Sequence, residues 1–316
     1  MIIKSTDNGL TWSKPCRLTQ NQKWHAAPCN HIVYGDYIYF TMEQRRDLSI
    51  EGWNTSGLSP FILKCPLNKD LLCKDNWIIS NIDFVFNQNI LKQKTDYFGY
   101  PFYNESEKKP VNITKSIVFS PSGWLEGNIA KIYDKDHIWY NKDSFHVLMR
   151  SSIGLTNYAC LIKFTEKNDN FVPNFEKTAF GKNMVFLNIP GGHLKFHINY
   201  DQKTKLYWMV SSQSTDSAVK PDVLESIQIK TKRYNLPDNE RNRLQLSFSK
   251  NLVDWCFAGI IYVGKNDLYS RNYPCFIFVD NDIYLVTKGG NSKALNSQYG
   301  NIIELFIIKN FRELVY

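Results

Sequence analysis

The chain has 316 residues, 43% of them hydrophobic and 22% charged, with 20 Phe, 18 Tyr and 8 Trp. That composition excludes a disordered or low-complexity polypeptide and supplies a core large enough to fold without disulfide staples. The net charge of +8 is scattered, with no run of five basic residues. This argues against a nucleic-acid partner and fits either an acidic small ligand or glycan, or simply a basic solvated surface.

Alanine occurs only eight times, while aromatic and β-branched residues are plentiful, so the expected fold is all-β. The N-terminus, Met1 to Asp7, enters polar residues at once and offers no apolar stretch of signal-peptide length. No later segment is apolar for long enough to span a bilayer, and no membrane partner is expected. Ser5-Thr-Asp7-Asn-Gly9-Leu-Thr11-Trp12 has the chemistry of a hairpin turn. Asp7 can accept N–H groups inside the loop, Gly9 can take a positive φ, and Trp12 is expected to plug the turn into the sheet beneath.

Strand-like runs then recur at Asn30 to Val33, Tyr37 to Met42, Phe61 to Cys65, Ser144 to Met149 and Tyr158 to Phe164. They continue at Leu206 to Ser211, Arg243 to Phe248, Cys275 to Val279, Ile283 to Thr287 and Ile302 to Ile308, several joined by tight polar turns such as Tyr34-Gly-Asp36 and Asp280-Asn-Asp282. His193-Leu-Lys-Phe-His-Ile198 alternates as well. It predicts a strand with Leu194, Phe196 and Ile198 in the apolar layer and His193, Lys195 and His197 on a polar face, a candidate site wall. On such a strand His193 and His197 lie roughly 13 Å apart, too far to share a zinc ion. Two longer irregular stretches, Phe84 to Lys115 and Thr215 to Glu240, are expected loops. Ser249-Lys-Asn-Leu-Val-Asp-Trp255 repeats the ends of the Ser5 to Trp12 motif without its glycine, and a repeat separated by many strands suggests propeller blades. No interdomain linker is visible, so residues 1–316 read as one domain. The cysteines, Cys16, Cys29, Cys65, Cys73, Cys160, Cys256 and Cys275, include no C-x-x-C pair; neither a metal nor a cofactor is expected.

The Ser5 to Trp12 motif resembles the Asp box of sialidases. The likeness continues through Trp24-His25-Ala-Ala-Pro28, Met42-Glu43, Asp75-Asn-Trp77-Ile-Ile-Ser-Asn81, Gly123-Trp-Leu-Glu126-Gly-Asn128, Pro190-Gly-Gly-His193-x-Lys195-Phe, Leu206-Tyr-Trp208, Arg241-Asn242 and Asn310-Phe-Arg312. In this order, and across nearly the whole chain, these segments resemble a family of sialidase-like glycosyl hydrolases. The resemblance implies a β-propeller, six-bladed in complete members, with a ligand site where the inner strands converge. Because the Asp box here follows a single possible strand, the expectation is about four to five blades, with the first blade lacking and the last, Tyr273 to Tyr316, supplying three strands.

The implied activity is removal of a terminal sugar from a glycan, with sialic acid among the candidates. Two other functions stay open: glycan binding without catalysis, and a two-carboxylate propeller glycosidase of another specificity. Glycoside cleavage uses a carboxyl acid and a second group across the anomeric carbon, which in sialidases is a tyrosine. Glu126, between apolar residues and a glycine just before an expected strand, is the leading catalytic acid or base. Glu43, at a strand end beside Arg45 and Arg46, is the second candidate, or else one half of a surface ion pair. Arg150 and Arg241 match family positions facing the central channel and have the fork geometry that suits a sugar carboxylate. Arg46, His25, His193, Lys195, Asn128 and Asn301 complete the candidate sugar ligands. For each of these, a surface charge or a side chain tied to the backbone is the competing interpretation.

Overall fold

The computed structural model describes residues 1–20, 23–25, 29–87, 89–90, 95, 108–115, 117–154, 156–215, 219, 221–226 and 239–316. Most of the two expected long loops, and Ala26 to Pro28, lie outside the described residues.

Four antiparallel sheets follow one another along the chain. The first contains Trp24–His25, His31–Tyr34, Tyr37–Arg45, Leu58–Pro66 and Ile78–Ile79. The second contains Gly123–Ala130, Ser144–Ser152, Tyr158–Lys167 and Asn170–Asn174, with Phe186–Asn188 added beside Tyr158. The third is His197–Asp201, Leu206–Ser212, Arg243–Ser249 and Cys256–Val263, and the fourth is Arg271–Val279, Asp282–Gly289 and Ile302–Ile308.

Because most strands carry apolar residues on both faces, a separate core forms between each pair of successive sheets. Tyr39, Ile62, Trp124, Phe145 and Val147 fill the first layer. Leu148, Leu161, Phe196, Ile198 and Met209 fill the second, and Trp208, Leu246, Phe276, Leu285 and Phe311 the third. The result is an all-β chain in a four-bladed β-propeller arrangement. The far face of the fourth sheet leaves Ile277, Val286, Ile303, Leu305 and Ile307 exposed. No helix among the described residues is long and apolar enough to cross a membrane.

Buried amides bind the innermost strands to one another. Asn30 donates to the carbonyls of Ile129 and Ile198 at 2.8 and 2.9 Å and accepts the Ile129 N–H at 2.8 Å. Asn128 donates to the Phe196 carbonyl at 3.1 Å and accepts the Ile198 N–H at 3.0 Å. Asn199 continues the series to the Phe276 carbonyl at 2.8 Å. An Asn128→Ala substitution strands both backbone partners inside the protein, and is expected to lower unfolding free energy by about 3 kcal/mol in urea titrations.

Several sequence expectations are corrected here. The Ser5 to Trp12 turn lies ahead of the first sheet. Residues 1–20 form a bridge between Ile2 and Cys16 and lay Ile2, Cys16 and Leu18 against that sheet's outer face. The Ser5 to Trp12 turn has the expected polar bonds, with Asp7 accepting from the Thr11 N–H at 2.8 Å and Gly9 at φ 89°. Hydrogen bonds from the Thr11 side chain and backbone and from Ser5 pull the Asp7 carboxyl down to about 2. Trp12, however, does not plug the sheet. It is 58% exposed and folds back to donate to the Gly9 carbonyl of its own turn at 3.0 Å. The second turn keeps this indole bond, Trp255 to the Leu252 carbonyl at 3.2 Å, and Leu252 adopts φ 65° where the first turn uses glycine.

His193 to Ile198 is not one strand. The chain turns over residues 191–194, and the strand begins only at His197. His193 and Leu194 are both buried, because the segment is enclosed between blades rather than lying on one face. Conversely, Gly123–Ala130, buried at every position, is a strand that sequence alternation does not reveal, since no polar face stands out in it. Glu126 therefore lies within a strand and not before one.

Candidate functional site

A cavity of about 760 Å³ opens over the ends of the inner strands, lined by His25, Trp53, Glu126, Arg150, Arg241 and Tyr273, with Ser120, Asn239, Gln298 and Tyr299 also on its wall. Glu126 is 2% exposed. It is the extra residue of a β-bulge between Leu125 and Gly127, at φ 57°, a conformation that costs a non-glycine residue of order 1 kcal/mol. The bulge breaks the strand's alternation and turns the carboxylate into the cavity. Gly127 is required behind it, because a Cβ there would lie 2.7 Å from Val147 Cγ1.

Arg150 Nη1 donates to Glu126 Oε2 at 3.0 Å, its Nε donates to the His193 carbonyl at 2.9 Å, and its guanidinium lies over the Trp53 ring. Arg241 is placed differently. Its Nε donates to Asn239 Oδ1 at 3.0 Å, but among the described residues its buried Nη1 has no hydrogen-bond partner and no carboxylate forms an ion pair with it. Burial, followed by repulsion from Arg150, pulls the Arg241 guanidinium down to about 10. His193 is buried next to both arginines, and burial with their charges holds its imidazole at about 3, neutral at working pH.

Glu43 is 1% exposed and does not itself line the cavity. Its Oε1 accepts the Gly127 N–H at 3.1 Å, bracing the Glu126 bulge, and its Oε2 meets His25 Nδ1 at 3.1 Å. The hydrogen bond to Glu43 raises the His25 pKa above the usual imidazole range against the opposing effect of burial, with added attraction from Glu43 and Glu126.

The structure thus brings Glu126, Arg150, Arg241 and His25 to one cavity, with Glu43 and His193 immediately behind its lining. It does not place the other candidates there. Arg46 points to the opposite side of the first sheet, where it donates to the Ile82 carbonyl at 2.9 Å and covers Phe61. Asn128 is 0% exposed and spent on the blade-to-blade bonds above. Asn301 pairs with Asn291 at 3.0 Å in an exposed loop contact. Lys195 is outside the cavity lining, although its Nζ reaches 5.6 Å from the Tyr273 ring centre.

Tyr273 and Trp53 are site residues the sequence reading missed. Tyr273, at φ 53° in a bulge between Asn272 and Cys275, is a second strained residue on the same cavity. Its hydroxyl bonds Arg241, and Arg241 and Lys288 approach its ring. The Pro274 that follows it is the one local sequence signal, since proline restricts the residue before it. Among the described residues no group of three or more His, Cys, Asp or Glu side chains is placed to hold a metal ion.

Fold and cavity together define a propeller-type all-β protein with a buried carboxylate and an excess of cationic side chains at its central cleft. No family model and no curated protein matches the sequence. Among solved structures the chain is similar to the β-fructofuranosidase of Schwanniomyces occidentalis complexed with fructosyl-erythritol, at TM-score 0.47 and 12% identity over 93% of this chain and 45% of that one. It is also similar to an exo-1,5-α-L-arabinanase from a bovine ruminal metagenomic library, at TM-score 0.44 and 10% identity over 90% and 73%. A third likeness is the full-length β-fructofuranosidase of Microbacterium saccharophilum K-1, at TM-score 0.41 and 13% identity over 86% and 53%. The chain spans less than half the length of the Schwanniomyces protein.

Proposed function

We propose that this protein is a glycoside hydrolase that removes a terminal sugar bearing a carboxylate, the class to which sialic acids and uronic acids belong. One observation carries the reading. A buried carboxylate, Glu126, held at a strained bulge, shares its cavity with a buried guanidinium, Arg241, whose Nη1 lacks a partner among the described residues. An uncompensated buried cation favours an anionic ligand, and a planar carboxylate suits the guanidinium fork. In this scheme Arg241, with Lys288 beside the Tyr273 ring, takes the sugar carboxylate. Glu126 receives the proton of the water that attacks the anomeric carbon, and Arg150 orients it. Trp53 offers an aromatic face to the sugar ring.

A second reading makes Tyr273 the nucleophile, a tyrosine being the residue type the sialidase resemblance implies for that role. Its strained placement on the same cavity as Glu126 favours considering it. Tyr273→Phe separates the two, because it ends turnover only if the phenol oxygen bonds the sugar.

The purified protein is to be incubated with paired glycosides of neutral sugars, uronic acids and sialic acids. Preferential release of an acidic sugar is the expected result. Release of neutral sugars alone overturns the charge assignment, and binding without release across the panel leaves a glycan-binding propeller.

A further inference from the structure

Cleavage of an unactivated glycoside needs a proton for the departing oxygen, and Glu126 in the scheme above accepts a proton instead. The second carboxylate, Glu43, does not reach the cavity, since its two oxygens are engaged by the Gly127 N–H and by His25 Nδ1. The group that does reach it is His25. Its side chain is 29% exposed while that of Glu43 is 1% exposed, so a buried anion holds one ring nitrogen and the other is left toward the cavity.

We propose that His25, oriented by Glu43, is the general acid that protonates the leaving oxygen. This rests on the hydrolase reading above. In the step, the bond from the anomeric carbon to the glycosidic oxygen breaks with its electron pair staying on that oxygen, which takes the Nε2 proton. The water oxygen bonds to the anomeric carbon and its proton passes to Glu126. Exchange with solvent then returns His25 to the imidazolium and Glu126 to the carboxylate.

The electrostatics agree with the geometry. The charged groups acting on His25 are Glu43 from the neighbouring strand and Glu126 from the second sheet, both favouring the imidazolium, and Arg45, which opposes it. Arg150 and Arg241 face the same cavity and oppose it as well. The Glu43 bond dominates, and it sets Nδ1 as a donor so that the imidazolium presents its second N–H to the substrate. The same carboxylate braces the Glu126 bulge through Gly127, so a single buried side chain orients both halves of the proposed acid–base pair.

The test compares two glycosides of one sugar, an activated aryl glycoside and an alkyl glycoside, with the parent protein, His25→Gln and Glu43→Gln. For His25→Gln, kcat on the alkyl glycoside is expected to fall about a hundredfold or more, while kcat on the aryl glycoside falls less than about tenfold. The alkaline limb of its kcat/KM profile should vanish. For Glu43→Gln that limb should move to lower pH. One orientation of the amide sets its N–H against the imidazolium Nδ1–H and the other against the Gly127 N–H, and in both the negative charge that favours the imidazolium is lost. Equal losses on both glycosides, or an unmoved alkaline limb, overturn the proposal while the hydrolase reading stands. A parent protein that releases no sugar from any glycoside overturns the hydrolase reading itself, and this assignment with it.

Discussion

Glu126→Gln is expected to lower kcat/KM about a thousandfold and to leave unfolding free energy within about 2 kcal/mol of the parent. The two halves of that expectation have different origins. Glutamine keeps the length of the side chain and an oxygen that can accept the Arg150 Nη1 bond now made at 3.0 Å, so the guanidinium is not stranded. Arg150 also keeps its bond to the His193 carbonyl and its position over Trp53. What is lost is the negative charge, and with it the ability to take a proton from water. Glu126→Ala is the contrasting variant. It removes the acceptor as well as the charge, and a further loss of stability is expected, because breaking a buried pair leaves a charge uncompensated. Steady-state kinetics and urea unfolding on the two variants separate these contributions. If Glu126→Gln retained more than a tenth of the parent activity, the carboxylate would not be the base.

Legibility in the sequence followed the alternation of residue types and not the exposure of each strand, since Arg243–Ser249 is buried at all but its first position. Arg243–Ser249, flanked by turns, and Ile302–Ile308, exposed at alternate positions, were visible as strands from the sequence. Gly123–Ala130, equally buried, was not, because Glu126 and Asn128 fall among its glycines and apolar residues in step with Trp124 and Ala130, so no polar face stands out. Alternation misled the reading of His193 to Ile198, where alternating residue types occur in a segment enclosed by blades and not on a strand. At the site, Glu126 stood out because a carboxylate amid apolar residues needs a reason. Tyr273 did not, since a tyrosine in an apolar strand is unremarkable until its φ and its cationic neighbours are known. Asn128 shows the converse. Two residues from Glu126, it would share that carboxylate's face on a regular strand, but the bulge at Glu126 shifts the alternation and Asn128 points into the blade contact, where its amide satisfies two backbone groups. Arg46 and Asn301 failed for a third reason, since sequence order fixes which strand end a residue occupies but not which side of the blade it turns to.

Replacing Arg241 with methionine is expected to lower kcat/KM for a carboxylate-bearing glycoside by a factor of about 100, to leave the neutral analogue within about threefold, and to make the protein more stable. The last outcome is the more diagnostic. A guanidinium with an ordinary value of 12.5 that drops to about 10 on folding has its charged form disfavoured in the folded state. That cost, on the order of 3 kcal/mol, is present in full below pH 10 and fades only as pH rises from there toward 12.5, so at neutral pH the substitution removes all of it. Loss of the Asn239 and Tyr273 bonds offsets about 2 kcal/mol, leaving a net gain of roughly 1 kcal/mol. A residue kept for structure alone would not raise stability when removed. A cation maintained at a cost, with Nη1 unpartnered among the described residues in a cavity that also holds a strained carboxylate-bearing bulge, is what a site awaiting an anion requires. By linkage, a saturating acidic sugar should raise the parent's unfolding midpoint and leave that of Arg241→Met unchanged. Calorimetric or urea unfolding with and without the sugar measures both effects. A destabilised variant that still prefers the acidic glycoside would show that Arg241 is a structural charge and that the carboxylate is held elsewhere.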